Sequence, residues 1–299
     1  MCIIVYHKLN KNIILAKNRD RNYKPKIFII HKLLNGVEIA YIIDNNTNWV
    51  EGLNEHGFGI INSSLRVDYD EDPLSNNIMD LKEKKISQQK YLNALSTCSI
   101  NYFQDKVFDK KYWADISLQG HNIVANPYFG FVIESNNYNN PIIKMINDTC
   151  VRTNHGIGIK NTGYKDGLPL ISSILRKQII EAEFKNNNIE DYNDIFNLMN
   201  QNYDDLDIDL QPYRSNPKYF FTTSQLILDL TDKKLVFNFD KDYCIFNGII
   251  NKLPSNYKPK IQIIVNSTKK NMTKKNIPLN KTYMKKILNK LNVKTKNSI

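Results

Sequence analysis

The sequence predicts a layered α+β domain with extensive antiparallel sheet, and three observations carry that expectation. Short apolar runs of strand length recur in blocks, three longer stretches repeat apolar residues at three-to-four spacing, and the two kinds of segment do not alternate regularly. Blocks of strands flanked by helices suit antiparallel pairing, whereas regular strand–helix alternation would suit a parallel sheet.

The first block opens with 2–7 (CIIVYH) and 12–17 (NIILAK), two apolar runs separated by HKLNKN in a hairpin-like arrangement. Strands are expected at 27–31, 37–43, 48–53 and 57–62, followed by an acidic, turn-rich stretch from about 66 to 75. Residues 76–96 carry Ile78, Leu81, Ile86, Tyr91, Leu92 and Leu95 at helical spacing. Strands return at 113–118, 121–126, 129–134, 142–146 and 150–153. A second helix follows Gly167 (Leu170, Ile171, Ile174, Leu175, Ile179, Ile180) and a third spans about 189–202. The stretch 218–247, with KYFFTTSQLILDL and KLVFNF, reads as strand again. No internal repeat or Pro/Gly/Ser linker interrupts the chain. The expected organisation is one domain over 1–265 and a lysine-rich tail over 266–299.

Composition narrows the function classes. No apolar run approaches the roughly 18–20 residues of a membrane span, and the start lacks the charged and long apolar regions of a signal peptide. A cytoplasmic protein is expected. The four cysteines (Cys2, Cys98, Cys150, Cys244) lie far apart without a C-x-x-C pair, which indicates neither a zinc site nor a disulfide framework. The net charge of +11 resembles a nucleic-acid signal until it is located: residues 266–299 hold ten lysines and no acid, and the other 265 residues hold 31 basic and 30 acidic groups. The body is therefore nearly neutral. The tail is either a solvated appendage or a basic arm for weak contact with a polyanion or an anionic membrane surface.

Four segments carry chemistry. Cys2 could begin a core strand as an ordinary small hydrophobe. Alternatively, removal of Met1 would place a thiol and an α-amine on one residue, a nucleophile with its own base. In Lys17-Asn18-Arg19-Asp20, an Asp across from the N-terminus could orient that amine, and a neighbouring cation would favour thiolate; plain turn chemistry is the other reading. Asn54-Glu55-His56-Gly57 is a tight turn between strands, and the second strand ends in Asn62-Ser63-Ser64, whose amide and hydroxyls could face a pocket. Thr153-Asn154-His155 closes another strand. Asn154 there could supply an amide N–H to an oxyanion, and His155 reads as a structural or pocket-wall residue more readily than as a base.

Taken together, these segments resemble the cysteine N-terminal-nucleophile hydrolases. The similarity is to the choloylglycine hydrolase and penicillin V acylase group and to the acyltransferases of the C45 peptidase type, such as acyl-CoA:6-aminopenicillanic acid acyltransferase. Ala16-Lys17-Asn18-Arg19-Asp20 is similar to the family's R-N-x-D segment, with Lys17 where bile-salt hydrolases have Arg. Asn54 to Gly59 matches the N-E-x-G-L-x turn, although Ser63 or Ser64 stands where the family often has an oxyanion-hole Asn. His121 to Asn126 with Phe129 to Glu134 resembles the central hairpin, Thr153-Asn154-His155 the T-N-H segment, and Ser172 to Arg176 the serine-arginine helix. Thr222 to Asp229 with Lys233 to Phe237 resembles the closing hairpin, and the late active-site Arg best matches Arg214. The opening also resembles NRDE-type proteins, although Arg21 replaces their Glu.

The resemblance implies a four-layer αββα sandwich of two antiparallel sheets. It implies a thiol-dependent amidohydrolase acting on a non-peptide C–N amide, with Cys2, Asp20, Asn154 and Arg214 as catalytic residues. Lys17, Asn18, Asn62, Ser63, Ser64 and His155 would form the substrate and oxyanion surroundings. No metal or organic cofactor is expected, and the partner is a small-molecule amide or acyl substrate; assembly into a homo-oligomer is left open. Acyl transfer to an amine, and a non-catalytic binding or trafficking protein of the same fold, are the alternatives.

Overall fold

Two strands buried on both faces set the architecture in the first twenty residues. In the computed structural model, which describes residues 2–65, 81–97, 100–113, 118, 120–135, 140–159, 168–204, 206–216, 220–268 and 276–277, β1 (Cys2–Leu9) and β2 (Asn12–Arg21) form an antiparallel hairpin. β3 (Lys26–Leu34), β4 (Val37–Asp44), β5 (Val50–Asn54) and β6 (Gly59–Ser63) follow as a meander. α1 (Leu81–Leu95), α2 (Ile100–Phe108) and α3 (Lys110–Trp113) precede β7 (Gly120–Ala125), β8 (Gly130–Ser135), β9 (Ile142–Ile146) and β10 (Cys150–Arg152). Next come α4 (Leu168–Asn186), α5 (Tyr192–Met199), β11 (Asn202–Tyr203) and β12 (Ser215–Asn216). β13 (Phe220–Asp229), β14 (Lys234–Asp240), β15 (Ile245–Lys252), β16 (Gln262–Thr268) and β17 (Asn276–Ile277) complete the described chain.

The strands form two large sheets. One runs β10-β1-β2-β13-β14-β16 with β12 beside β13, and the other runs β15-β3-β4-β5-β6-β7-β8-β9. Pairing is antiparallel except at one edge of each sheet, where β16 joins β14 and β15 joins β3 in parallel. Between the sheets lies a shared apolar layer that includes Ile4, Leu15, Ile29, Ile42, Ile123, Leu226 and Phe237. On the outer face of the first sheet, Ile3, Val5, Ala16 and Ile227 pack against Ile180 and Phe184 of α4 and Phe196 and Met199 of α5. On the outer face of the second, Ile39, Tyr41 and Ile60 pack against Tyr91, Leu92 and Leu95 of α1 and against Val107 and Trp113. The layers are therefore helix, sheet, sheet, helix, the four-layer sandwich expected, with burial of apolar side chains on both faces of each sheet as its main stabilisation.

The structure differs from the sequence expectations at three places. The strand expected at 113–118 is not formed at its start, where Lys110–Trp113 is helical and the Trp113 indole donates to Lys106 O at 2.7 Å; residues 114–117 and 119 lie outside the described residues. α2 was not anticipated. The sheet also continues past 247, through β15 and through β16 as far as Thr268. Residues 76–80 of the expected first helix, and 269–275 and 278–299 of the tail, lie outside the described residues.

The Asn54 to Gly57 turn forms as expected. Gly57 N donates to Asn54 O at 2.9 Å, and the Asn54 side-chain oxygen accepts from His56 N and Phe58 N. Gly57 sits at φ +77°, and a Cβ there would meet Leu230 O at 2.2 Å, so this position requires glycine.

Candidate active site

The hairpin register decides which side chains meet. Cys2 lies opposite Arg19 and Ile4 opposite Lys17, while Ile3 lies opposite Asn18. Because strand side chains alternate, Cys2, Lys17, Arg19 and Arg21 share the face toward the second sheet. Asn18 and Asp20 share the face toward the helices. At this end of the inter-sheet space the apolar layer gives way to buried charge.

The inner cluster consists of three cations and two carboxylates. Lys17 Nζ pairs with Glu51 Oε1 and donates to Asn62 O at 2.6 Å and to Asn62 Oδ1 at 3.3 Å. Arg19 pairs with the other oxygen of Glu51 and lies 3.7 Å from Asp44. Arg21 Nε donates to Asp44 Oδ2 at 3.2 Å and to Tyr23 OH at 3.1 Å, and Tyr23 OH donates to the same Asp44 oxygen at 2.9 Å. Arg21 Nη1 donates to Asp20 O at 3.0 Å and reaches Cys2 Sγ at 3.6 Å. Burial would push the Cys2 thiol up, but Lys17, the chain's terminal ammonium and Arg21 together outweigh it and lower the pKa to about 7. Glu51 is likewise opposed by burial, yet Arg19 and Lys17 hold its carboxyl below the ordinary value.

The helix face holds the main-chain nitrogen of Cys2. Cys2 N donates to Asn154 Oδ1 at 2.8 Å. Arg176, fully buried on α4, donates to Asp20 Oδ2 at 2.9 Å and lies 3.4 Å from the same Asn154 oxygen. Thr222 Oγ1 donates to Asp20 Oδ1 at 2.8 Å. A bulge in β13 between Thr222 and Ser224 makes that contact, because it lets Thr222 stand opposite Asp20 while Ser224 stands opposite Arg19. Arg214 lies one step further back, its Nη2 donating to Ser172 Oγ at 2.7 Å.

The remaining expected residues brace this arrangement. The Asn154 amide donates to Ser64 O at 2.8 Å, Ser63 Oγ donates to Thr153 O at 2.6 Å, and the Asn62 amide donates to Val50 O at 3.2 Å. Asn18 bridges β2 to its neighbours, donating to Met199 O and accepting from Gln225. His155 Nδ1 lies 2.9 Å from Ser173 Oγ, which also accepts from Asn154 N. Burial first, then His121, Lys177 and Arg176, lower the His155 pKa to about 4, so its ring is neutral. Among the described residues, no group of three or more His, Cys, Asp or Glu is disposed to hold a metal ion, and no helix is long and apolar enough to cross a membrane.

Cys2, Lys17, Asp20 and Asn154 thus come together as one constellation, with Asn18, Asn62, Ser63 and His155 as its supports. The sequence reading did not assign roles to Arg21, Glu51, Asp44 or Arg176. Strand alternation counted from the hairpin would have put Arg21 on the thiol's face. No known protein family matches the sequence, and no curated protein does. Among solved structures, the chain is similar to penicillin V acylase from Agrobacterium tumefaciens, at 10% sequence identity and a TM-score of 0.46 over 80% of this chain and 86% of that one.

Proposed function

We propose that this protein is a thiol-dependent amidohydrolase of the N-terminal-nucleophile type, with Cys2 exposed as the first residue by removal of Met1. One observation carries the reading: Cys2 is the described cysteine whose thiol is lowered toward neutrality, and its main-chain nitrogen is held 2.8 Å from Asn154 Oδ1. Cys150 and Cys244 are buried too, and burial pushes both of their thiols up. In the proposed reaction Cys2 Sγ attacks the amide carbonyl, and its proton passes to the α-amine. That ammonium, held by Asn154, which Arg176 links to Asp20, returns the proton to the departing amine as the C–N bond breaks. Water then cleaves the acyl-thioester, releasing a carboxylic acid and restoring the thiol. No step calls on a cofactor.

A second reading, a binding protein that keeps the fold, is favoured by a specific observation. The Asn154 amide nitrogen already donates to Ser64 O and Ser64 Oγ, and one of the two N–H groups of Asn62 is spent on Val50 O, so an oxyanion would have to displace a bond to use Asn154. Intact mass of the purified chain separates the two readings, taken before and after a thiol-reactive amide or β-lactam probe and beside Cys2→Ser and Cys2→Ala. The enzyme reading expects loss of one methionine and a single adduct absent from Cys2→Ala. Retained Met1, or labelling that persists in Cys2→Ala, overturns it. Hydroxylamine added during turnover traps the acyl-thioester as a hydroxamate, so its appearance in wild type and absence in Cys2→Ala supports the covalent intermediate common to hydrolysis and acyl transfer.

A further inference from the structure

We propose that Arg21, clamped by Asp44 and Tyr23, is the catalytic cation that holds the Cys2 thiolate, a role that rests on the reading of Cys2 as a nucleophile. Lys17 also faces the thiol, but its three N–H donors are matched by three acceptors, Glu51 Oε1, Asn62 O and Asn62 Oδ1. It acts on the sulfur through its charge, the largest single influence lowering the thiol, while its donors are directed at those other acceptors. Arg19 stands opposite Cys2 in the hairpin, yet its guanidinium turns to Glu51 and Asp44. Arg21 is the cation with a donor aimed at the sulfur, at 3.6 Å.

Its position is over-determined. One edge of the guanidinium is fixed through Nε by Asp44 and Tyr23, and Nη1 is shared between Asp20 O and Cys2 Sγ. The planar fork of an arginine allows this two-sided grip, which an ammonium could not reproduce. Charge counting points the same way. Lys17, Arg19 and Arg21 face Asp44 and Glu51, which leaves one positive charge in excess in a buried space, and a Cys2 thiolate neutralises it. Asp20, on the opposite face of β2, is taken up by Arg176 of α4 and Thr222 of β13. The remaining charge near the sulfur is the chain's terminal ammonium.

The test is the pH profile of iodoacetamide alkylation at Cys2, read by peptide mass in the full-length wild type and in Arg21→Gln, Arg21→Lys and Tyr23→Phe. The expected result is a wild-type midpoint near pH 7 that rises by about one pH unit in Arg21→Gln. Smaller rises are expected in Arg21→Lys, which keeps charge without the fork, and in Tyr23→Phe, which loosens the clamp. A structural role alone would lower the melting temperature without moving these midpoints. Unchanged midpoints in Arg21→Lys and Tyr23→Phe, with Cys2 still labelled, overturn the assignment to Arg21 and leave the nucleophile standing, even where Arg21→Gln does not fold. Absence of Cys2 labelling in wild type up to pH 9 overturns the nucleophile itself and the assignment with it.

Discussion

Cys2 and Cys244 are buried to the same degree, 3% and 2% exposed, yet the thiol of one is lowered to about 7 and that of the other pushed up to about 12. Cys244 belongs to the apolar layer between the sheets, where desolvation dominates and the thiol stays protonated. Cys2 lies in the same inter-sheet space, where Lys17, the chain's terminal ammonium and Arg21 reverse the effect of an equal burial. Removal from water therefore does not decide a thiol's state in this fold; the sign of the neighbouring charge does.

The largest effect expected from this contrast is in reactivity. At pH 7.5 the thiolate fractions of the two cysteines differ by roughly 10,000-fold, while the greater nucleophilicity of the more basic thiolate recovers about 100-fold. Alkylation of Cys2 should accordingly outpace that of Cys244 by about 100-fold, read as initial rates by peptide mass; equal rates would break the comparison. Next comes Asp20→Ala, which leaves Arg176 buried without its carboxylate. Its expected loss is about 3–5 kcal/mol in chemical unfolding, with the midpoint of Cys2 alkylation falling in whatever fraction stays folded, because Asp20 raises the thiol pKa.

A smaller effect concerns stability against pH. The folded Cys2 pKa of about 7 lies below the reference 9.0, so the stabilisation is present in full above pH 9 and is lost as pH falls through 7. Relative to Cys2→Ser, the wild type should gain about 2–3 kcal/mol between pH 7 and 9, since a tenfold change in proton affinity is worth ~1.4 kcal/mol. Urea midpoints across that range check the sign. The smallest effect is expected of Lys177→Gln, which removes a part-exposed pair with Glu181 one helical turn away. It should change stability by about 0.3–0.5 kcal/mol. A loss of several kcal/mol would show that charge outside the cluster matters as much as charge within it.

The strands around the site were legible because they are short, nearly continuous apolar runs bounded by turn residues. β1, β2, β4 and β6 carry apolar residues on both faces, and the Asn54–Gly57 turn announces itself by its residue types. Cys2, Asp20 and Asn154 were legible as individuals, from chemistry and resemblance. Their division of labour was not, because it depends on a bulge in β13 and on the reach of Arg176 across from α4. Glu51 and Asp44 were hidden for a different reason. They lie on the facing sheet, and no local pattern records which strand of one sheet lies over which strand of the other. The helical turn at Lys110–Trp113 was misread because a short apolar run carries no period long enough to separate helix from strand.

The strand order has a consequence in time. β1 is flanked by β2 on one side and β10 on the other, and β2 is flanked by β13, so the sheet around Cys2 is built from the beginning, middle and late parts of the chain. The nitrogen of Cys2 finds Asn154 only after that residue has been synthesised, on the order of 10 s after the first residues at ~5–20 residues per second. On the proposed mechanism, an aminopeptidase that acts within this interval meets the N-terminus before Cys2 is buried. A nascent chain that folds before it is processed would carry its thiol into the finished site with the amine still capped.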